Sequence, residues 1–163
     1  MKKLVIMRHA KALSGDNYES DFDRELSEKG KQDAAAMGKR LQAKSFKPDF
    51  ILCSAAKRTN KTAKIVATEL GYAIENIEPD SELYAASAHD VLQILRQIAD
   101  KHNNVILIGH NPTVTGLVGY LGNLCVDGLS TSGQACISFP ISSWRLLMAN
   151  SGKLEWVDSP KSN

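Results

Sequence analysis

Cysteine is scarce in this chain: only positions 53, 125 and 136 of 163 carry it, and no two stand in a CxxC spacing. An odd, scattered set of that kind argues against a disulfide framework and a thiolate zinc site, and it fits a reducing, cytoplasmic setting. An excess of charge is missing too. Lys and Arg number 20 against 18 Asp and Glu, a net +2, too little to mark a nucleic-acid or membrane footprint, and no basic stripe carries interleaved aromatics. No hydrophobic run approaches the ~18 residues of a membrane span. Met1-Lys2-Lys3 opens like a secretory leader, but the apolar run Leu4 to Met7 is too short for its core, and Arg8 and His9 end it. Glycine-rich phosphate loops of the GxxxxGK[ST] or GxGxxG type are absent, as is a carboxylate cluster that would hold magnesium. A metal-free chemistry without a cofactor is therefore expected.

What is present reads as an ordinary globular protein, 43% hydrophobic and 23% charged. The length suits one domain with a single substantial core, assigned to residues 1–158, followed by a frayed tail at 159–163, and a monomer is expected. No internal repeat, low-complexity tract or linker interrupts it.

Three apolar runs are continuous rather than alternating: Leu4-Val5-Ile6-Met7, Phe50-Ile51-Leu52-Cys53 and Val105-Ile106-Leu107-Ile108. Such runs suit strands buried on both faces of a parallel sheet. Amphipathic helices are predicted between them. One runs from a Ser27 cap to about Ala43, and one from Ala56 to Leu70 with Gly71 at the left-handed cap position. A third follows a Ser87–Asp90 capping box, and a fourth has Asn111 as cap and Pro112 in its first turn. Towards the end, Ala135 to Phe139, Trp144 to Ala149 and Leu154 to Val157 read as strands, the last two joined through Asn150-Ser151-Gly152. Segments 13–25 and 122–133 read as loops. The order predicts an α/β fold: three layers, a mostly parallel mixed sheet with helices on both faces.

Two of the strands share a layout. Arg8-His9 follows the first run and Gly109-His110 the third, so each histidine falls just past the carboxyl end of a predicted parallel strand. Ligand crevices of open α/β sheets form at that edge. If the strands are neighbours in register, the two imidazoles converge. Arg58, in the first turn after Cys53-Ser54, brings a further guanidinium towards the same edge. Two arginines and two histidines around one crevice make a site for a compact dianion, since arginine forks match phosphate oxygens. A neutral imidazole nitrogen can attack phosphorus directly. Arg8 and Arg58 would disfavour the charged form of His9 and keep its lone pair available.

These residues resemble the histidine phosphatase superfamily, which has the phosphoglycerate-mutase-like fold. Arg8-His9 is similar to its Arg-His-Gly signature, and Ser54-Ala55-Ala56-Lys57-Arg58-Thr59-Asn60-Lys61-Thr62-Ala63 to its Ser-Pro-x-x-Arg-x-x-x-Thr-Ala stretch. Gly109-His110-Asn111 resembles its late Gly-His-Asn motif. The segment from Asp23-Arg24 to Gly30 resembles the Asp-x-x-Arg-Pro-Leu-Thr-x-x-Gly segment of SixA-type phosphohistidine phosphatases. The resemblance implies that His9 is the phosphorylated residue, that Arg8 and Arg58 bind phosphate, and that His110 donates a hydrogen bond to the phosphoryl group. It places the superfamily's acidic residue, a proton donor, at Glu82. Ala10, Ala55 and Glu25 depart from the signature glycine and two prolines. The short stretch between Arg58 and Glu82 leaves no room for a large lid insertion, and an open crevice suits a phosphohistidine borne on a protein.

The expected function is thus a cytoplasmic, signalling-type hydrolase of protein phosphohistidine. Two alternatives stay open: a phosphatase of small sugar or nucleotide phosphates, and a non-catalytic module that binds phosphorylated ligands. Arg24 either points towards substrate or anchors its loop. His89 and His102 read as solvated, and Lys57, Lys61 and Lys64 as an ordinary helix face. Trp144 and Trp156 read as core or sheet-face aromatics, and Cys53 as a small buried hydrophobe.

Overall fold

The computed structural model describes residues 1–123 and 126–162, so Cys125 lies outside the described residues. Six strands form one sheet: β1 (Lys2–Arg8), β2 (Phe50–Ser54), β3 (Glu78–Asp80), β4 (Asn104–Gly109), β5 (Gln134–Phe139) and β6 (Lys153–Asp158), in the order β3-β2-β4-β1-β5-β6. The first four run parallel, and β5 and β6 add an antiparallel edge. Among the described residues four helices pack on the sheet: α1 (Glu28–Ala43), α2 (Lys57–Leu70), α3 (Ala88–Leu95) and α4 (Thr113–Gly122).

The unbroken apolar runs are explained by the two faces. Leu4 and Ile6 of β1, with Val105 and Leu107 of β4, meet α3 and α4 through Leu92, Leu95, Leu117 and Leu121. Their neighbours Val5, Met7, Ile106 and Ile108 meet α1 and α2 through Met37, Leu41, Ala63 and Val66. Successive strand residues point to opposite faces, so a strand covered on both must be apolar throughout. This is the α/β, mostly parallel mixed sheet with helices on both faces that the sequence predicts.

The helix ends follow the sequence signals in three cases. The Ser27 hydroxyl accepts from Gly30 N at 3.0 Å, Gly71 takes φ 70° after α2, and both halves of the Ser87–Asp90 capping box form. The start of α4 differs. Pro112 precedes the first helical residue, Thr113, instead of occupying the first turn, while the Asn111 side-chain oxygen Oδ1 accepts from Thr115 N and Oγ1.

The segment 144–149 is not a strand. Trp144–Leu146 form a 3-10 turn capped by Ser143, with the indole fully buried and its Nε1 donating to His102 O at 2.7 Å. Leu146 and Met148 are exposed, and β5 pairs directly with β6 without a strand from this segment between them. Trp156, on β6, lies under the Lys44 ammonium. Cys53 is buried, as expected, and its thiol is pushed up to about 12, mainly by burial.

Gly30 has a packing reason. A Cβ built on it would lie 2.1 Å from the Lys11 carbonyl oxygen, the atom that also accepts from Ser27 N. Gly30→Ala must push α1 away from that strap, and the expected loss is about 1–3 kcal/mol in urea unfolding. An unchanged midpoint would contradict the close approach.

Candidate active site

The carboxyl ends of β1, β2 and β4 lie side by side, and the candidate residues extend from them. Arg8 pairs with Gly109 in the parallel register, so His9 and His110 are the next residues on adjacent strands. His9 N donates to Gly109 O at 3.0 Å, and the ring centroids stand 5.2 Å apart with planes tilted by 58°. Ser54 ends β2 one strand away. Its hydroxyl lies 2.8 Å from His110 Nε2.

The hydrogen bonds fix both tautomers. His9 Nδ1 lies 2.8 Å from the Ala10 carbonyl, which can only accept, so Nδ1 carries the hydrogen and Nε2 keeps its lone pair. That lone pair faces Arg58 Nε at 3.4 Å. His110 is reversed: its Nδ1 faces Arg58 Nη2 at 3.4 Å, and a guanidinium only donates. His110 Nε2 therefore carries the hydrogen and donates to Ser54.

Arg58 is 6% exposed, and its two edges do different things. Nη1 and Nη2 are held by Asp21, through the backbone carbonyl at 2.7 Å and the carboxylate at 2.8 Å. The other edge, Nε and Nη2, is turned towards the two imidazole lone pairs. Asp21 is itself held by the Tyr84 hydroxyl, which donates to its carboxylate at 2.6 Å, and by Arg24 Nη1 at 3.0 Å. The Tyr84 ring stands edge-on to His110, with centroids 5.5 Å apart. Thr62 joins the same frame, accepting from Ala10 N and donating to Arg58 O. Ala10 takes no positive φ, so the absence of glycine there strains nothing.

Burial and charge set the protonation. His9 is lowered to about 4, first by burial, then by Arg58, Arg8 and Arg24, against the Ala10 hydrogen bond. His110 is lowered to about 4 by burial, by His9 and by Arg58. The Asp21 carboxyl is held well below the usual range, foremost by the Tyr84 hydroxyl and then by Arg58 and Arg24. Both imidazoles are neutral at pH 7, the state a nitrogen nucleophile requires.

A stability trend follows. Between pH 4 and 6.5 the unfolded chain binds protons at residues 9 and 110 that the folded protein does not, so stability must rise with pH across that window. His102, also lowered by burial, acts in the same sense, and Asp21 contributes only at lower pH. Thermal melts should show Tm climbing from pH 4 to 6.5, with a shallower climb in a His9→Gln, His110→Gln double variant. Equal slopes would contradict the neutral pair.

The remaining sequence candidates are distributed unevenly. Arg8 is half-buried; its Nη1 donates to Leu129 O at 3.2 Å, and its Nε is buried without a hydrogen-bond partner among the described residues. Arg24 anchors its loop, donating from Nε to Leu13 O, while it also contacts Asp21. Glu82 is exposed, on a 3-10 turn Ser81–Leu83 that leads into Tyr84. Among the described residues no hydrogen bond joins its carboxylate to His9, Arg58 or His110. His89 is exposed, and His102 stacks on Phe50 at 4.9 Å.

Asp21, Tyr84 and Ser54 are the site residues that sequence reasoning gave no role. Asp21 had a signal: it stands three residues before Arg24, which is the Asp-x-x-Arg spacing, whereas Asp23 is adjacent to it.

Comparison with known proteins points in one direction. The profile of the histidine phosphatase superfamily (branch 1) matches residues 4–88. An uncharacterized chloroplastic protein of Arabidopsis thaliana is 28% identical, over 99% of this chain and 79% of its own. The protein histidine phosphatase SixA in complex with tungstate superposes with a TM-score of 0.83 at 24% identity, covering 97% of each chain. A SixA protein from Agrobacterium tumefaciens gives 0.83 at 25% identity over 98% of each. A mycobacterial glucosyl-3-phosphoglycerate phosphatase with inorganic phosphate gives 0.66 at 17% identity, over 100% of each chain.

Proposed function

The chain belongs to the histidine phosphatase superfamily, and within it we propose a metal-independent phosphatase that passes a phosphoryl group through His9 to water, with phosphohistidine on a protein as its preferred substrate. The observation that carries this is the His9 ring: Nδ1–H tied to Ala10 O, and the Nε2 lone pair turned to Arg58.

In the proposed sequence a PO₃ unit enters between the rings and accepts hydrogen bonds from Arg58 Nε and Nη2, with the uncommitted Arg8 Nε as a further donor. The Nε2 lone pair forms the new P–N bond as the bond to the leaving group breaks. The leaving atom takes a proton, for which the exposed Glu82, two residues before Tyr84, is the proposed donor; an imidazole leaving group needs that help less than an alkoxide does. Water then attacks phospho-His9 and returns a proton to the Glu82 carboxylate; the P–N bond breaks, phosphate departs, and Nε2 regains its lone pair. A bound dianion favours the charged form of His110. Its Nδ1 then gains a hydrogen to donate to the phosphoryl group while Nε2–H stays on Ser54. Stabilisation of charge on the transferring group supplies most of the catalysis in such reactions.

The substrate preference is supported by closer likeness to the SixA structures than to the glucosyl-3-phosphoglycerate phosphatase. The turns Asp21–Asp23 and Ser81–Leu83, which bring Asp21 and Tyr84 to the site, are three residues each, which favours access for a side chain on another protein. Rates on a phosphohistidine peptide, set beside a panel of sugar and nucleotide phosphates, test the reading. The peptide should give the highest kcat/KM, and a higher value for any small ester would overturn it.

Asp21→Asn examines the positioning of Arg58. With the charge gone, the guanidinium is free to turn its Nε–Nη2 edge away, and a small misplacement can lower kcat by about 10- to 100-fold. The expected signature is a fall in kcat larger than any change in KM. A rise in kcat/KM would mean that Asp21 instead competes with phosphate for Arg58.

A further inference from the structure

Along α2, positions 57, 60, 61 and 64 share one exposed face at i, i+3, i+4 and i+7 spacing, and three of the four are lysine. They form one wall of a groove of about 380 Å³ whose other wall is Glu25, Leu26 and Lys31. Lys31 pairs with Glu28 at 3.3 Å. Lys57, Lys61 and Lys64 form no ion pair among the described residues. The groove also has a defined place: Lys57 directly precedes Arg58, whose guanidinium faces His9 and His110.

We infer that this groove docks an acidic segment of the phosphorylated protein, carrying carboxylates on one side of the phosphohistidine. The inference deepens the phosphohistidine reading and rests on it. Charge complementarity selects the partner. Three unpaired ammonium groups outweigh the one carboxylate, Glu25, that lines the groove and attract carboxylates, and the dianion at Arg58 then anchors the same chain at a second point. Geometry sets the spacing. Arg58 and Lys64 are six residues apart on a helix that rises ~1.5 Å per residue, about 9 Å along the axis, and they point about 120° apart around it. An extended segment needs roughly three residues for the axial distance alone, and more to pass around the helix. Carboxylates about three to six positions from the phosphohistidine are therefore the ones that reach the lysines.

The test uses the full chain and a variant with Lys57→Gln, Lys61→Gln and Lys64→Gln. The probes are three: a phosphohistidine peptide with glutamates about three to six positions away, the same peptide with glutamines there, and phosphoramidate as a small substrate. The wild type should favour the acidic peptide in kcat/KM by about tenfold at low salt. The triple variant should lose that preference while phosphoramidate turnover stays within about twofold. No preference in the wild type, or an equal loss on all three probes, would overturn docking.

A binding arm keeps the two readings separable. The acidic peptide without phosphate should bind the wild type about tenfold more tightly than the variant, a difference that shrinks as salt screens it. That result stands even if no probe is turned over. An oligonucleotide of equal charge binding more tightly than the peptide would identify a different occupant and overturn the proposal.

Discussion

His9→Ala is expected to lower turnover of a phosphohistidine peptide by at least about 10³-fold, because it removes the atom proposed to form the bond to phosphorus. The loss should be chemical and not structural. Outside the backbone, His9 contributes one hydrogen bond to Ala10 O and a contact to Arg58, while β1 is held by β4 and β5 on both sides. The variant should therefore melt normally and still bind tungstate or vanadate through Arg8, Arg58 and His110. Retained binding with lost turnover separates the enzyme from a module that only recognises phosphorylated partners: such a module would lose no function on this substitution. Added imidazole, filling the space of the missing ring, should restore part of the rate.

Arg58→Ala is the second large effect, expected at about 10²- to 10³-fold in kcat/KM. One buried guanidinium reaches both imidazoles and Asp21 at once, so its removal withdraws the charge facing the phosphoryl group and frees the 21–23 turn. Arg58→Lys should rescue little. An ammonium is a point charge without two edges, and it cannot be held by Asp21 on one side while presenting a fork on the other. The titrations of His9 and His110 should move upwards in the Ala variant, but only part of the way, since burial is the larger cause for each. NMR titration of the imidazoles measures this. Unshifted titrations together with near-normal kcat/KM would remove Arg58 from the site.

The readable part of this protein is the part encoded by local pattern. Runs such as Val105 to Ile108 are apolar at every position because both faces of the strand are covered, and that signature carried β1, β2 and β4 together with the edge at which His9 and His110 lie. The helix ends were equally local at Ser27, Gly71 and Ser87. Strand β3 left no such trace. It is Glu-Pro-Asp, three residues at the sheet edge, and its pairing with β2 rather than its composition makes it a strand. The segment around Trp144 misled in the opposite direction: its apolar residues suit a strand, but the indole is drawn into the core and bonded to His102 O.

The site divides in the same way. Histidines at strand ends and an arginine in a first helical turn are visible because backbone geometry alone puts them at the edge. Asp21 sits in a polar stretch that reads as a loop, and its role depends on a contact with Arg58 across 37 positions of chain. Tyr84 depends in turn on Asp21, over 63 positions. Contacts of that kind exist only after the sheet has assembled, so no window of sequence contains them.

The most direct measurement of the central claim is the position of the phosphate during turnover. The protein is mixed with a phosphohistidine peptide, EDTA present, quenched in alkali within a turnover, digested, and analysed by mass spectrometry for acid-labile phosphate. The account predicts label on the peptide that contains residue 9, none in His9→Ala, and an unchanged rate with the chelator. Label on another residue, or turnover without any phosphoenzyme, would contradict it.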